Sequence, residues 1–240
     1  MTGVSLPESD GSVRSRDGAL VCDGVWKIFQ RGRRIVRALS DVSLEVRRGE
    51  FVCLVGSSGS GKSTLLNLLG ALDLPTKGEI YGLGLRYRDL GNEQCNRFRR
   101  TNIGFVFQEL RLINHLTATE NVMLPRLFEG HIKSELMNTA VGLLGQVDLG
   151  ERVDHFPYEL SYGEQQRVAI ARAVVTKPKI VLADEPTANL DNKNTERVIS
   201  ILHSLRASGT TFVVATHDDR LSRAADRVVE IAGGVLQHSG

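Results

Sequence analysis

The sequence predicts an α/β domain built on a largely parallel sheet, and two observations carry that prediction. Short apolar runs of strand length, such as Phe51–Val55 and Thr211–Ala215, alternate with segments whose apolar residues recur at helical spacing. The 240 residues, with 41% hydrophobic and 24% charged side chains, suit one large globular domain or a core with an inserted subdomain. Glycine contributes 24 residues, an excess that directs attention to glycine loops.

The apolar pattern predicts strands and helices in order along the chain. Val42–Val46 alternates apolar and polar residues, as a half-buried strand does. Phe51–Val55 is a continuous apolar run before Gly56 and predicts a strand buried on both faces. Leucines at helical spacing predict a helix over Lys62–Leu72. Further buried strands are predicted at Ile103–Phe107, Ile180–Ala183, Thr211–Ala215 and Arg227–Ile231, followed by a hairpin through Gly233 and Gly234 within Gly233–His238.

The middle of the chain and its beginning depart from this alternation. Residues 108–176 hold helical patterns, of which Ser134–Val147 and Gly163–Thr176 are the clearest, and no clear buried strand. They predict a helical insertion within the α/β core. Residues 1–18 are rich in Ser, Gly and charged residues and predict a flexible tail.

Composition excludes several classes of protein. No apolar run approaches the roughly 18 residues of a membrane-spanning helix, and the first residues lack the apolar segment of a secretory signal. The net charge of +2 is too small to predict a nucleic-acid surface. Cys22, Cys53 and Cys95 form no C-x-x-C pair, so reduced thiols in a cytosolic protein are expected rather than disulfides or a zinc site.

A phosphate-binding loop is predicted at residues 56–63. Their sequence, GSSGSGKS, fits G-x-x-x-x-G-K-[ST] in full and lies between a predicted strand and a predicted helix. The glycines let backbone N–H groups point at phosphate oxygens, and the helix N-terminus adds roughly half a positive charge. Lys62 is expected to reach the β- and γ-phosphates, and the Ser63 hydroxyl to ligate Mg²⁺. The alternative, a flexible Gly/Ser loop, does not account for the Lys-Ser pair in this position.

Two acids follow the predicted strand Ile180–Ala183. Ligands of an open α/β sheet gather beyond the carboxyl ends of its strands, so Asp184 is placed to hold Mg²⁺ and Glu185 to orient or deprotonate an attacking water. Acids after a strand also cap helices. The phosphate loop upstream makes the functional interpretation the stronger one.

The third motif is LSYGEQQR at residues 160–167. Ser161 and Glu164 form an S-x-x-E pattern, so taken alone it predicts a capped helix. With the phosphate loop before it and ADEP after it, the chain resembles the ATP-binding cassette family over nearly all of residues 20–238. The motifs occur in the family's order.

The resemblance implies a fold and a division of the chain. The fold would be a RecA-like P-loop NTPase core with a mostly parallel sheet, an antiparallel β portion and an inserted helical subdomain. The ATP-binding domain would occupy residues 19–240, with its core at 19–107 and 172–240 and the helical insert at about 108–171.

The resemblance also implies roles for individual residues. Glu185, His217 and Gln108 would assist hydrolysis, and Ser63, Gln108 and Asp184 would hold Mg²⁺. Phe29, in VWKIF, looks like the aromatic residue that stacks on adenine. ATP would contact the loop residues Gly56, Ser57, Ser58, Gly59, Ser60, Gly61, Lys62, Ser63 and Thr64, and also Ser161, Gly163, Glu164 and Asp191.

In the family, two copies pair head to tail across ATP, so that the second copy would supply Ser161, Gly163 and Glu164 to the γ-phosphate. A helix that begins after Ser161 would bring a second positive dipole end to the same anion. A separate membrane permease would carry the substrate path, with the complex at the cytoplasmic face of the membrane. No nucleic-acid partner is expected.

Longer strings, among them FQELRLINHLTATENV and ADEPTANLD, resemble the lipoprotein-release and macrolide-efflux branch of exporters. Two residues depart from that branch: Tyr162 stands where Gly is usual, and Asn114 where Pro is common. Tyr162 would face the nucleotide interface, and Asn114 lies in the insert that contacts the membrane partner.

Three other functions compete with transport. A P-loop kinase or GTPase needs neither the LSYGEQQR motif nor His217. Translation cassettes usually carry two such domains, and DNA-repair cassettes carry a long coiled-coil insertion, neither of which occurs here. The third alternative, a cassette ATPase that regulates a cell-envelope or division complex without transport, is compatible with the sequence.

Overall fold

The computed structural model describes residues 18–32, 34–127, 133–207 and 209–237, and the predicted tail therefore lies outside the described residues apart from Gly18, which is buried. The strands are β1 Leu20–Arg31, β2 Arg34–Val46, β3 Phe51–Val55, β4 Lys77–Gly82, β5 Leu85–Arg86, β6 Ile103–Val106, β7 Ile180–Asp184, β8 Thr211–Ala215, β9 Arg227–Ala232 and β10 Val235–Gln237. The helices are α1 Lys62–Leu69, α2 Asn92–Asn102, α3 Ala118–Leu127, α4 Lys133–Gln146, α5 Tyr162–Val174, α6 Asn192–Arg206 and α7 Asp219–Ala224.

The strands form two sheets. A six-stranded sheet has the order β10-β9-β3-β8-β7-β6, and its neighbours from β9 to β6 all pair in parallel. Only β10 runs antiparallel, as the second strand of the hairpin after β9. A four-stranded antiparallel sheet has the order β2-β1-β4-β5. The predicted α/β class with a mostly parallel sheet and an antiparallel portion is confirmed.

Side-chain alternation in the parallel sheet divides the apolar core into two layers. In β3, Phe51 and Cys53 pack into the layer that holds α5 and α6, whereas Val52 and Leu54 pack into the layer that holds α1 and the antiparallel sheet. The strand is buried on both faces because each face is covered by other elements. This arrangement leaves the ends of the parallel strands as the exposed part of the sheet.

The buried strands predicted from Phe51 onward are confirmed to within one residue. The strand predicted at Val42–Val46 begins earlier, at Arg34, because the first residues of β2 are exposed and show no apolar alternation. The predicted helices over 62–72, 134–147 and 163–176 correspond to α1, α4 and α5; α1 and α5 are shorter than predicted, and α4 has the predicted length but begins one residue earlier. Between β6 and β7 the described residues contain helices and no strand. The proposed end of the insert, residue 171, falls inside α5.

The bounds of β1 were not predicted from the pattern of apolar residues. Its pairing with β2 shifts register three times, between Cys22 and Ile28. Each irregularity changes which face a side chain occupies, so the period-two alternation is lost. In the residues that the structure describes, no helix is both long and apolar enough to cross a membrane.

Candidate functional site

Four predicted functional segments meet at one edge of the parallel sheet. The phosphate loop follows β3, His217 follows β8, Asp184 and Glu185 end β7, and Gln108 follows β6. These four strands are neighbours in the order β3-β8-β7-β6 and run in the same direction. Their carboxyl ends therefore open on the same side, where ligands of open α/β sheets bind.

The phosphate loop has a backbone shape that requires glycine. Gly56 has a φ of 150°, and a Cβ there would lie 2.1 Å from the carbonyl oxygen of Ile231. Gly61 has a φ of 111°, and its Cβ would lie 2.7 Å from the carbonyl oxygen of Ala38. Gly61 also caps α1 without a side chain, so that the first N–H groups of the helix are left for an anion.

Lys62 is held inside the loop. Its Nζ donates to the carbonyl oxygens of Gly56 at 2.7 Å and of Ser57 at 3.1 Å, and the residue is only 8% exposed. An ammonium group with three donors can keep part of this anchoring while it contacts a phosphate. Ser57, Ser58 and Gly59 are exposed at the rim, Ser60 is buried, and Ser63 and Thr64 lie in the first turn of α1.

The C-terminal hairpin supports the loop from behind, a contact that sequence reasoning missed. Gly234 N donates to the carbonyl oxygen of Ser60 at 2.9 Å, and Gly234 O accepts from Ser40 N at 2.8 Å. A Cβ on Gly234 would lie 2.7 Å from the carbonyl oxygen of Ala38. The sequence predicted only a turn at Gly233 and Gly234, because the residues that Gly234 contacts lie far from it along the chain.

Asp184 is half-buried beside the loop. Burial raises the pKa of its carboxyl group, and the charge of Glu185 adds to this, while a hydrogen bond from Ser63 and the nearby Lys62 ammonium oppose it. One oxygen, Oδ1, is buried and has no hydrogen-bond partner among the described residues. A buried carboxylate oxygen next to a hydroxyl group is a suitable pair of ligands for a hard cation.

Glu185 and His217 form a contact between the ends of β7 and β8. Glu185 Oε2 lies 2.9 Å from His217 Nδ1 and accepts from the backbone N of His217 at 3.3 Å. The Glu185 side chain is 11% exposed whereas that of His217 is 72% exposed. Glu185 has a φ of 49°, in the left-handed region, and its N donates to the carbonyl oxygen of Ala215 at 2.8 Å. A non-glycine residue held in this conformation is typical of functional sites.

Gln108 lies in the same cleft as Asp184. Both residues line a depression that also includes Asn67, Asp73 and Phe107. The Gln108 side chain is exposed, and the backbone carbonyl oxygen of Gln108 accepts from the Tyr162 hydroxyl at 3.5 Å. Tyr162, the departure from the family pattern, therefore reaches the Gln108 segment within the chain.

Phe29 is exposed on β1, with 37% of its surface accessible. Lys27 Nζ lies 5.0 Å from the ring centroid and is fixed by Asp73 at 2.7 Å and by the carbonyl oxygen of Leu74 at 2.8 Å. An accessible ring with a cation on it can stack on a planar base.

The motif at 160–167 begins α5 with a complete capping box. Glu164 N donates to Ser161 Oγ at 3.3 Å, and Ser161 N donates to Glu164 Oε2 at 2.8 Å. Burial raises the pKa of the Glu164 carboxyl, but the hydrogen bonds from Ser161 and the charges of Arg152 and Arg167 outweigh it, and the pKa is lowered. Gly163 is buried beneath Asn194.

Asp191 caps the next helix, α6. Its Oδ1 accepts from Asn194 N at 2.8 Å and its Oδ2 from Asn194 Nδ2 at 2.8 Å. These bonds, first that of the backbone N–H and then that of the side chain, lower the pKa of the exposed Asp191 carboxyl.

The LSYGEQQR motif and the phosphate loop belong to different packing units of the chain. Helix α5 packs against α3, α4 and β6, whereas α1 packs against β7, β8 and strands of the antiparallel sheet. The described side-chain hydrogen bonds of Ser161 and Glu164 stay within the capping box, and Glu164 also forms an ion pair with Arg152 at 3.6 Å. The structure brings together the loop, Asp184, Glu185, His217 and Gln108, whereas the described side-chain bonds of Ser161 and Glu164 do not reach the loop.

Comparison with known proteins agrees with this geometry. The ABC transporter family matches residues 39–188. An uncharacterised ABC transporter ATP-binding protein of Methanocaldococcus jannaschii is 46% identical over 212 residues, which cover 88% of this chain and 95% of that protein. A macrolide export ATP-binding/permease protein of Hyphomonas neptunium is 45% identical over 217 residues, covering 90% of this chain but 34% of that protein. The chain thus spans about a third of the length of such macrolide-export relatives.

Solved structures extend the comparison to the fold. A dimeric ATP-binding cassette in a post-hydrolysis state, bound to ADP and phosphate, superposes with a TM-score of 0.86 at 41% identity, covering 91% of this chain and 97% of that one. A clostridial component of a transporter complex superposes with a TM-score of 0.83 at 26% identity, covering 92% of this chain and 88% of that one. The chain therefore belongs to the ABC transporter family, and it is one of that family's ATPase cassettes.

Proposed function

We propose that this chain binds and hydrolyses ATP at the edge of its parallel sheet and thereby powers a separate membrane permease. The chain and the permease together would form an exporter of the macrolide-efflux or lipoprotein-release type. The observation that carries the proposal is the convergence of the phosphate loop, Asp184, Glu185 and His217 at the carboxyl ends of adjacent strands. Similarity to macrolide-export proteins supports the exporter branch.

The phosphate loop would bind the triphosphate. Backbone N–H groups at the start of α1 and the Lys62 ammonium would neutralise phosphate oxygens, and the exposed ring of Phe29 would stack on adenine. Because Lys62 is already anchored to the loop by Gly56 and Ser57, little rearrangement is needed to present its charge.

The residues next to the loop fit Mg²⁺. Asp184 Oδ1 is buried and unpartnered among the described residues, and Ser63 supplies a hydroxyl oxygen beside it. Together with Gln108 they offer the few oxygen ligands that Mg²⁺ takes when phosphates complete its coordination. When bound, the ion neutralises charge on the phosphate oxygens.

Glu185 would act on the attacking water. Its carboxylate is largely buried and is oriented by the 2.9 Å contact with His217. A carboxylate in that position can orient the water and accept its proton as the bond from the water oxygen to the γ-phosphorus forms and the bond from that phosphorus to the bridging oxygen breaks, with ADP as the leaving group. His217, which is exposed, would hold Glu185 in place and would respond to the γ-phosphate from the end of β8.

Two copies would share the nucleotide head to tail. Ser161, Gly163 and Glu164 lie on a helix that packs away from the phosphate loop of their own chain, so a second chain is the natural recipient of this motif. The N-terminus of α5 would then meet the γ-phosphate bound by the other copy, and Asp191 would lie at the same interface. Dimeric structures of similar cassettes support this arrangement.

Copurification with a measurement of turnover tests the transport role. The tagged chain would be purified from detergent-solubilised membranes of its own organism, with Lys62→Ala, checked for folding by circular dichroism, as a control. We expect a membrane protein with few spans and a large external domain to copurify with the chain. The ATPase rate should be higher in this complex than in the isolated chain. A partner that raises the rate but moves no ligand in vesicles would favour regulation of an envelope or division complex. An ATPase rate that is independent of any membrane partner would contradict both roles.

A further inference from the structure

Asn194 lies where the N-terminus of α6 meets the N-terminus of α5. Its side-chain amide is engaged at both ends: Nδ2 donates to Asp191 Oδ2 at 2.8 Å, and Oδ1 accepts from Arg167 Nη1 at 3.2 Å. Arg167 is 4% exposed and belongs to α5. One amide therefore bridges the carboxylate that caps α6 and a guanidinium group in the second turn of α5.

The same amide covers Gly163. A Cβ on Gly163 would lie 2.9 Å from Asn194 Cγ and 3.0 Å from Asn194 Oδ1, so glycine allows this approach without a shift of the Asn194 side chain. Packing of the Asn194 amide on Gly163 is thus one reason for glycine at this position, in addition to any contact with nucleotide.

Capping of α6 does not require these contacts. The cap needs only the bond from Asn194 N to Asp191 Oδ1, which any residue at position 194 would make. The polarity of the bridge selects asparagine, because the donor end faces a carboxylate and the acceptor end faces a cation. Aspartate at this position would put two carboxylates together, and an aliphatic residue would leave the buried Arg167 without this acceptor.

We infer that Asn194 is a positioning residue that couples the Asp191 loop to the helix beginning at Ser161, so that both present themselves to the second copy as one surface. The inference rests on the proposed head-to-tail dimer. Displacement of Asp191 would be passed through the amide to Arg167 and Gly163, and so to the first turn of α5.

The test compares Asn194→Ala with Asn192→Ala, its matched control at the start of the same helix, where Asn192 Oδ1 accepts from Arg220 Nη1 at 2.9 Å. Alanine favours the helix, and the backbone N–H that caps α6 remains, so both variants should fold. Both would carry Glu185→Gln, so that a dimer is not lost through hydrolysis. Sedimentation against ATP concentration gives dimerisation, and a titration of dilute protein gives ATP affinity of the monomer.

We expect Asn194→Ala to weaken ATP-dependent dimerisation about tenfold and to leave monomer affinity within about twofold, since two hydrogen bonds and a packing contact are lost outside the phosphate loop. Asn192→Ala should match the Glu185→Gln parent protein in both ATP-dependent dimerisation and the ATP affinity of the monomer. Dimerisation of Asn194→Ala equal to that of Asn192→Ala would overturn the inference.

Hydrogen exchange separates failure of this inference from failure of the proposed dimer. If the parent itself does not dimerise with ATP, the head-to-tail proposal has failed, and exchange in the monomer decides the coupling. The amides of Glu164 and Gln165, which bond to Ser161 Oγ and Ser161 O, should exchange faster in Asn194→Ala than in Asn192→Ala. Equal exchange rates there would overturn the inference whatever the oligomeric state.

Discussion

The phosphate-loop edge and the surface around Ser161 both carry helix N-termini, but they differ in how their polar groups are used. At the loop, Gly61 caps α1 without a side chain, and Lys62 is the only side chain that braces the loop backbone within the described contacts. At α5, Ser161 and Glu164 satisfy each other in a capping box. No side chain caps α1, so its first N–H groups are left for a ligand, whereas the capping box of α5 already uses the N–H groups of Ser161 and Glu164.

This difference indicates that the two surfaces contribute unequally to nucleotide binding. A helix terminus with free N–H groups and a neighbouring lysine can bind a phosphate by itself. A capped terminus contributes its dipole and the outer side of its serine, which suits the closing of a site that is already occupied. The loop edge should determine affinity and rate, and the Ser161 surface should determine association.

The largest effect is expected at Glu185. Glu185→Gln keeps the shape of the side chain and an oxygen that can face His217, but the amide cannot accept a proton from water. Steady-state ATPase activity should fall by about 10²–10⁴ while the protein stays folded. If Glu185 were only a structural partner of His217, the change would cost stability of about 1 kcal/mol and little rate.

A matched control separates these cases. Glu159→Gln makes the same chemical change in a capping box away from the sheet edge, where Glu159 Oε2 accepts from Phe156 N at 2.8 Å. It should leave turnover within about twofold, because the Gln amide oxygen can still accept from Phe156 N, as Gln94 Oε1 accepts from Gly91 N at 2.9 Å. Near-normal turnover in folded Glu185→Gln would move the base elsewhere, with His217 as the next residue to change.

The next effect in size is on affinity. Lys62→Ala removes charge-assisted hydrogen bonds to phosphate and the two bonds that brace the loop. ATP affinity measured by titration should fall about ten- to a hundredfold or more. Unchanged affinity would show that the loop edge does not bind the triphosphate, and the contrast between the two surfaces would disappear.

The smallest expected effect concerns the stability of the loop edge. Because burial raises the pKa of Asp184, its ionised form disfavours the folded state, and stability is lost as pH rises from the ordinary carboxyl pKa of about 4 through the raised value. Asp184→Asn should therefore raise the melting temperature at neutral pH by a few degrees. The gain should shrink as the pH is lowered toward about 4. A melting temperature at pH 7 below that of the wild type would contradict this account of Asp184.

Much of the loop edge could be predicted from the sequence because its signals are local. The run Phe51–Val55, the glycines and Lys62-Ser63 are contiguous, and strand, loop and helix follow directly from them. Asp184 and Glu185 could be placed because a continuous apolar strand ends at them. The site roles themselves remain predictions that the experiments above test.

The contacts that could not be predicted join residues far apart in the chain. Gly234 supports Ser60 through a backbone hydrogen bond, and Asn194 covers Gly163, with no pattern in either segment that names the partner. Helix α2 was also missed, because only Phe98 of its residues is buried and no apolar stripe marks it. Periodicity predicts elements that bury a face, but it does not predict which elements meet.

The central claim is that one site is built from the loop of one copy and the Ser161 surface of another, and mixing two inactive variants tests it most directly. Lys62→Ala lacks a working loop and Ser161→Arg lacks a working α5 terminus, since a bulky cation would block the facing phosphate. Neither variant alone should form a dimer in the presence of ATP. Ser161→Arg should still bind ATP as a monomer, with nearly wild-type affinity.

In a head-to-tail dimer of the two variants, one site combines both defects and the other combines the intact loop of Ser161→Arg with the intact Ser161 surface of Lys62→Ala. Differently tagged variants should therefore capture each other in the presence of ATP, with up to one nucleotide retained per mixed dimer. Failure of the mixture to associate, when the wild-type protein does so under the same conditions, would contradict a site shared between two copies.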